Sequence, residues 1–142
     1  MKKKLPIVII DTNLWISFLI SKEFSWLDNL IKSDKIKIVY SEELFLEIFE
    51  ILSRPKFKSY FNSEKIAAFS KLVIHYLKLI EVNSSIDLCR DEKDNFLLAL
   101  AKDANADYII NGDKDLLTLN PFEKTKILSF ADFKTQFKQK LK

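Results

Sequence analysis

The chain has 142 residues, 48% of them hydrophobic and 30% charged, which fits one domain with a core of its own. It carries a single glycine, a single cysteine and a single histidine, so the glycine-rich loops that cradle nucleotides, any internal disulfide and any paired-imidazole site are excluded. A net charge of +3 is compatible with a polyanionic partner without demanding one.

Residues 1–4, Met1-Lys2-Lys3-Lys4, read as a solvated basic tail. They imitate the start of a signal peptide, but Asp11 and Asn13 interrupt the apolar region and no small-residue cleavage site follows Ile20. No stretch approaches the roughly 20 apolar residues of a membrane span. With one half-buried Cys89 suited to a reducing compartment, a cytoplasmic protein is expected.

Residues 5–11 read as a first strand, whose aliphatic run Ile7-Val8-Ile9-Ile10 ends at Asp11. Thr12 or Asn13 is expected to cap the next helix, with Trp15, Ile16, Phe18 and Leu19 inward. A second helix spans 23–33 through Trp26, Leu27, Leu30 and Ile31, and a second strand runs Ile36 to Tyr40. Ser41 caps a helix to about Leu52, which Arg54-Pro55 stops. The stretch 55–62 is a basic loop with interleaved aromatics; Arg54, Lys56 and Lys58 could meet phosphates there, or its rings could simply anchor the loop to the core.

A helix from Ser63 to Leu77 shows Ile66, Phe69, Val73 and Tyr76 as its apolar stripe, which leaves His75 on the exposed side. Leu79 to Val82 reads as a third strand and 83–90 as a connection. Asp94 opens a strong helix to about Asn105, with Phe96, Leu97, Leu98, Leu100, Ala101 and Ala104 as its apolar residues. The strand 107–110 follows and runs out into Asn111-Gly112-Asp113-Lys114-Asp115, where Gly112 permits a positive φ that would aim both carboxylates over the sheet. A short helical turn at Leu116-Leu117, a break at Pro121 and an edge strand Lys126-Ile127-Leu128 come next. The last helix, 129–141, carries Phe130, Phe133, Phe137 and Leu141 as its stripe and lysines 134, 138, 140 and 142 toward its end, a solvated basic face. This β-α-α-β-α-α-β-α-β-α-β-α order predicts a three-layer α/β/α sandwich with a mainly parallel sheet of four to five strands.

Parallel sheets bind ligands beyond the carboxyl ends of their strands. Asp11, which directly follows four buried aliphatics, is costly there unless it is exposed or paired; a functional reading is preferred to a simple cap. Asp94 reads equally well as a helix-start residue and as a ligand, with Asp91 competing for the cap. Asp113 and Asp115 read equally well as an Asx-type turn. Glu43, Glu47 and Glu50 share one helix face, and spacing does not decide whether water, mild mutual repulsion or a metal explains the stripe. Several carboxylates facing one cleft raise each other's pKa unless a cation neutralises them. Oxygen-only donors favour Mg²⁺ or Mn²⁺, and two-metal phosphodiester hydrolysis is the chemistry such a set serves best.

Four stretches then carry a resemblance: Ile7 to Asn13; Ser41-Glu42-Glu43-Leu44 with Glu47; Arg90 to Leu97; and Ala106 to Leu117. Together they resemble the PIN-domain nucleases, and within them the VapC-like toxin components of prokaryotic toxin–antitoxin systems. The resemblance spans residues 5 to about 134 and implies one PIN-like nuclease domain over 1–142, with 135–142 as the end of the C-terminal helix. It implies a metal-dependent endoribonuclease that leaves 5′-phosphate ends and uses one or two Mg²⁺ or Mn²⁺ ions. It assigns Asp11, Glu47, Asp94 and Asp113 to the catalytic metal set, with Asp115 as a frequent further ligand and Asn13 and Ser41 in support. It also implies a single-stranded or structured RNA substrate, a homodimer and an antitoxin protein partner. Where many relatives have Thr or Ser, this chain has Asn111-Gly112, so the donor that orients Asp113 stays open.

Two rival enzymes and one binding module share parts of this pattern. A haloacid-dehalogenase-type phosphatase needs a second aspartate at position 13, where Asn13 stands. A phosphoacceptor receiver domain needs its acceptor after a middle strand and a lysine-bearing strand end. The binding module would be a catalytically degenerate PIN-like domain that only holds RNA or protein.

Overall fold

The computed structural model describes residues 5–21 and 23–140. Among them, five strands alternate with seven α-helices: β1 Ile7–Ile10, α1 Thr12–Ile20, α2 Glu23–Lys32, β2 Lys37–Tyr40, α3 Glu42–Leu52, α4 Ser63–Tyr76, β3 Lys78–Leu79, α5 Glu92–Ala104, β4 Tyr108–Ile110, α6 Lys114–Leu117, β5 Lys126–Leu128 and α7 Phe130–Lys140. A single 3₁₀ turn, Pro55–Phe57, sits between α3 and α4. The strands form one sheet in the order β3-β2-β1-β4-β5, and every pairing is parallel. The fold is an α/β/α sandwich.

The strand order has a direct consequence. From β1 the chain builds outward through β2 to β3, then crosses back to place β4 on the other side of β1 and β5 beyond it. The reversal falls between β1 and β4, where Ile9 pairs with Ile109 and Ile10 with Ile110. The loops leaving these two neighbours run in opposite directions, which opens a crevice at their carboxyl ends. Asp11 follows one of these strands, and Asn111-Gly112-Asp113 follows the other.

Hydrophobic burial holds this arrangement. Val8, Ile9, Ile10, Ile109 and Ile110 are fully buried, as the unbroken aliphatic runs of a two-sided parallel strand require. The abundant phenylalanines form two aromatic clusters. One joins Trp15 of α1 to Phe45 and Phe49 of α3, Phe61 and Phe69. The other joins Phe18 and Trp26 to Phe130, Phe133, Phe137 and Tyr108. Helix α1 contributes to both clusters, through Trp15 and Phe18, so the turn that carries Asp11 is backed by two packed cores.

Several expectations change. The third strand is only two residues, Lys78–Leu79, paired with Val39 and Tyr40 at the end of β2. The buried face of α4 is Phe69, Leu72 and Val73, whereas Ile66 and Tyr76 are exposed. The loop after α3 does anchor itself through buried Phe61 and half-buried Phe57, with Tyr60 outside. His75 is exposed, as its side of α4 predicts. Residues 1–4, Leu141 and Lys142, and the side chains of Lys138 and Lys140, lie outside the described residues. Among the described residues no helix is long and apolar enough to cross a membrane.

Candidate active site

Asp11 is held by backbone on three sides. Its own N–H donates to the Ile110 carbonyl at 3.0 Å, the last rung joining β1 to β4. Its Oδ1 accepts from the Leu14 N–H at 2.8 Å, so Asp11, and not Thr12 or Asn13, caps α1. The Gly112 backbone N–H also acts on its carboxylate, and both groups favour the charged form. Burial opposes that form more strongly. Desolvation, with added repulsion from Asp94 and Asp113, pushes the Asp11 pKa from the ordinary 3.8 to about 6.

The loop after β4 uses a side chain where glycine freedom was expected. Gly112 does not adopt a positive φ. Instead the buried Asn111 turns the chain: its Oδ1 accepts from the Asp113 N–H at 2.8 Å. Asp113 then caps α6, its Oδ1 accepting from the Asp115 N–H at 2.9 Å. The donor that orients Asp113 is therefore the Asp115 backbone, and the asparagine sets the turn beneath it. The Asn111 Nδ2 is the one buried side-chain nitrogen or oxygen among the described residues that lacks a hydrogen-bond partner.

Helix α5 begins two residues earlier than expected. Asp91 takes the cap, accepting from the Lys93 N–H at 3.0 Å, and this releases Asp94 in the first turn from capping. Asp94 is partly buried, and its pKa rises to about 6, first through desolvation and then through the charges of Asp113 and Asp91. The Asp113 carboxyl group stands close beside that of Asp94 and contributes to this rise. The next residue, Asn95, fastens the incoming segment: its Oδ1 accepts from Leu88 and Cys89 N–H groups, and its Nδ2 donates to the Cys89 carbonyl at 3.0 Å. Asp103, in the last turn of α5, holds Asn83 and Ser84 in the same connection, and these hydrogen bonds keep its pKa below the usual range.

Helix α3 supplies the remaining wall. Ser41 is buried and caps it, its Oγ accepting from the Leu44 N–H at 3.2 Å. Both Glu43 and Glu47 face the cleft, and Glu50 does not. Glu47 pairs with Lys93 at 3.4 Å.

These elements enclose a cleft of about 100 Å³ at the carboxyl ends of β1 and β4. Asp11, Asn13, Ser41, Glu47, Asp94 and Asp113 all line it. Asp115 is exposed on α6 and does not, nor do the exposed Arg54, Lys56 and Lys58. Lys56 lies over the Phe57 ring instead, 5.0 Å from its centroid. Sequence alone does not bring Glu43, Asp91, Lys93 and Phe96 to the site, and all four line it. For Asp91 and Lys93 the one available signal is that they stand in the same acidic motif as Asp94.

Six carboxylates thus share the cleft with one lysine. Two of them, Asp11 and Asp94, have raised pKa values. This donor set fits a hard divalent cation in kind and in charge. Among the described residues no three acidic groups converge as one coordination sphere. A wider hollow of about 710 Å³ lies at the opposite, amino-terminal end of the sheet, between Pro6, Lys37, Asn105, Asp107 and Lys124, and it holds no such cluster.

The comparisons with known proteins agree with this fold. The family model described as PIN domain matches residues 7–115. The chain therefore belongs to the PIN domain family, a family of nuclease type. It is 36% identical to "Uncharacterized protein MJ1680" of Methanocaldococcus jannaschii, over 82% of this chain and 77% of that one. Its fold is similar to the crystal structure of PAE2754 from Pyrobaculum aerophilum, with a TM-score of 0.57 at 17% identity, over 93% of this chain and 88% of that one.

Proposed function

We propose that the chain is a metal-dependent endoribonuclease, with Asp11, Glu47, Asp94 and Asp113 as its catalytic acidic set. The observation that carries this reading is the concentration of six carboxylates at the β1–β4 reversal of a PIN-domain sheet, opposed by a single lysine. Those four residues would hold one or two Mg²⁺ or Mn²⁺ ions. Such an ion activates water as a nucleophile, polarises the phosphodiester and stabilises the leaving oxygen.

The chain's own residues prepare that chemistry. The Leu14 N–H fixes the Asp11 carboxylate against its capped helix, so it presents its remaining lone pairs at a constant place. Asp91 occupies the cap of α5, so Asp94 is not consumed by it. Asp94, with its pKa raised to about 6, would give up any proton it holds to a bound cation. Asn13 and Ser41 sit at the wall as polar support. Asp115 acts through its backbone, which orients Asp113. Arg54, Lys56 and Lys58, outside the cleft, would meet the RNA backbone at a distance from the scissile phosphate.

The decisive experiment is hydrolysis of RNA by the purified protein with Mn²⁺ or Mg²⁺, set against the chelated protein and Asp11→Asn. Cleavage that needs the ion and Asp11, with 5′-phosphate products, supports the reading. Equal activity in Asp11→Asn removes it. The narrower role, a cytoplasmic toxin that works as a homodimer and is neutralised by an antitoxin protein, rests on the VapC-like motifs. Growth arrest on expression, abolished by Asp11→Asn, and sedimentation of a dimer would support it.

A further inference from the structure

Two aspartates at the start of α5 can each cap a helix, and only one arrangement leaves Asp94 free to face the cleft. Asp91 takes the cap, its Oδ1 accepting from the Lys93 N–H at 3.0 Å, and its carbonyl accepts from the Asp94 and Asn95 N–H groups at 3.1 and 3.3 Å. Aspartate is a good cap at either position, so local preference does not choose between them. The register is held from outside the turn. Asn95 is 6% exposed, a buried amide that does not line the cleft. Its Oδ1 accepts from the Leu88 N–H at 3.0 Å and the Cys89 N–H at 2.8 Å, and its Nδ2 donates to the Cys89 carbonyl at 3.0 Å. All three bonds reach back to the segment that enters the helix. With Cys89 so fixed, only Arg90 precedes the cap, and the chain turns helical at Asp91.

We propose that Asn95 is a positioning residue of the acidic set: its clamp on Leu88 and Cys89 starts α5 at Asp91 and so delivers Asp94 to the cleft as a metal ligand in place of a cap. The inference rests on the metal-dependent reading above and adds a residue that touches neither ion nor substrate. Without the clamp the first turn is free to unwind and restart at Asp94, whose carboxylate then turns to the N–H groups of its own helix. A side chain that orients a ligand from behind commonly controls metal affinity by about 10- to 100-fold. Asp103 supplies a control within the same helix. It fastens the same connection near the far end of α5, accepting from the Asn83 and Ser84 N–H groups at 2.6 and 2.9 Å. Loosening that end frees the connection without moving the first turn of α5.

The test titrates Mn²⁺ into the parent chain, Asn95→Ala and Asp103→Ala by calorimetry, each first shown to melt cooperatively. Asn95→Ala is expected to weaken Mn²⁺ binding by about 10-fold or more, and Asp103→Ala to keep the parent affinity. Hydrogen exchange of the amides at 95–97 is expected to quicken in Asn95→Ala and not in Asp103→Ala, the sign that the helix start has moved. Where Asn95→Ala does not fold, Leu88→Pro takes its place: Leu88 is 62% exposed, and proline there deletes one N–H of the clamp without altering α5. It is expected to weaken Mn²⁺ binding by about 3-fold or more, and parent affinity in Leu88→Pro overturns the proposal. Parent affinity in Asn95→Ala, or unchanged exchange at 95–97, also overturns it. So does an equal loss in Asp103→Ala, which makes Asn95 a fastening of the connection and nothing more. These failures, with Mn²⁺ still bound by the parent chain, remove only the positioning role. No Mn²⁺ binding by the parent chain removes the metal-dependent reading and the positioning role with it.

Discussion

Asp11 and Asp107 stand at opposite ends of the same pair of strands, and they have opposite surroundings. Asp107, at the amino end of β4, donates its N–H to the Ile7 carbonyl and accepts the Ile7 N–H on Oδ2 at 2.8 Å. Lys124 lies 3.9 Å from its other oxygen, and the side chain is 45% exposed. It stitches β4 to β1 with its charge in water and near a cation. Asp11, at the carboxyl end of β1, is only 7% exposed, and the charges that reach it are those of Asp94 and Asp113. The same residue type is thus a fastening at one end of the sheet and an unneutralised charge at the other. A fold retains so costly a group where its charge is used, and the strand reversal marks that end.

The sharpest way to break this contrast is to neutralise each aspartate in turn. Asp11→Asn keeps a good helix cap for the Leu14 N–H but removes the charge. RNA cleavage is expected to fall by about 10³-fold, as when one member of a cooperating catalytic set is removed. Stability should move the other way. A carboxylate whose folded pKa is raised binds its proton more tightly in the folded than in the unfolded chain. It therefore destabilises the fold as pH climbs from about 4 through 6. For Asp11 a rise from 3.8 to about 6 corresponds to about 3 kcal/mol at pH 7. Urea titrations of the metal-free protein should show the parent weakening across that pH interval, and Asp11→Asn flatter and more stable at pH 7. A parent that gains stability over the interval would contradict the assignment of the charge.

Glu43 and Glu47 sharpen the same comparison on α3, since both face the cleft. Glu47→Gln is expected to reduce cleavage by about 100-fold and Glu43→Gln by no more than a few-fold, measured as kcat/KM. The reverse order would exchange their roles. Asp107→Ala should leave cleavage unchanged and cost about 1 kcal/mol in denaturation, because it removes an acceptor that is partly screened by water. The smallest effect belongs to the exposed loop. Replacing Lys56 and Lys58 by alanine should weaken RNA binding about two-fold. The slope of log affinity against log salt should become shallower by about one for each of these lysines that meets a phosphate.

Much of this is legible in the chain because the signals are local. Four aliphatics ending at Asp11 specify a buried strand and its exit, and Ser41 before Glu42-Glu43 specifies a capped helix. The parallel sheet follows from the alternation of strands and helices. What stays hidden depends on geometry that the sequence does not encode locally. Whether Asp91 or Asp94 caps α5 is a question of where the backbone turns helical, and a shift of three residues decides which carboxylate is released from capping. In the Asn111-Gly112 turn the glycine draws the eye, but a buried side-chain acceptor does the turning. Phe96 reads as core because apolar residues surround it in sequence, and only its direction on α5 places it at the cleft mouth. Glu43 and Glu47 lie one turn apart on the same helix face, so periodicity alone does not separate them.

Calorimetric titration of Mn²⁺ into the metal-free chain and into Asp11→Asn at pH 7 tests the central claim most directly. The charge pattern predicts saturable binding to the parent, with net proton release from Asp11 and Asp94 seen as a dependence of the heat on buffer. It predicts that Asp11→Asn loses most of that affinity and releases fewer protons. Identical isotherms for the two proteins, or no binding to the parent, would contradict the assignment of this cleft as a metal-dependent nuclease centre.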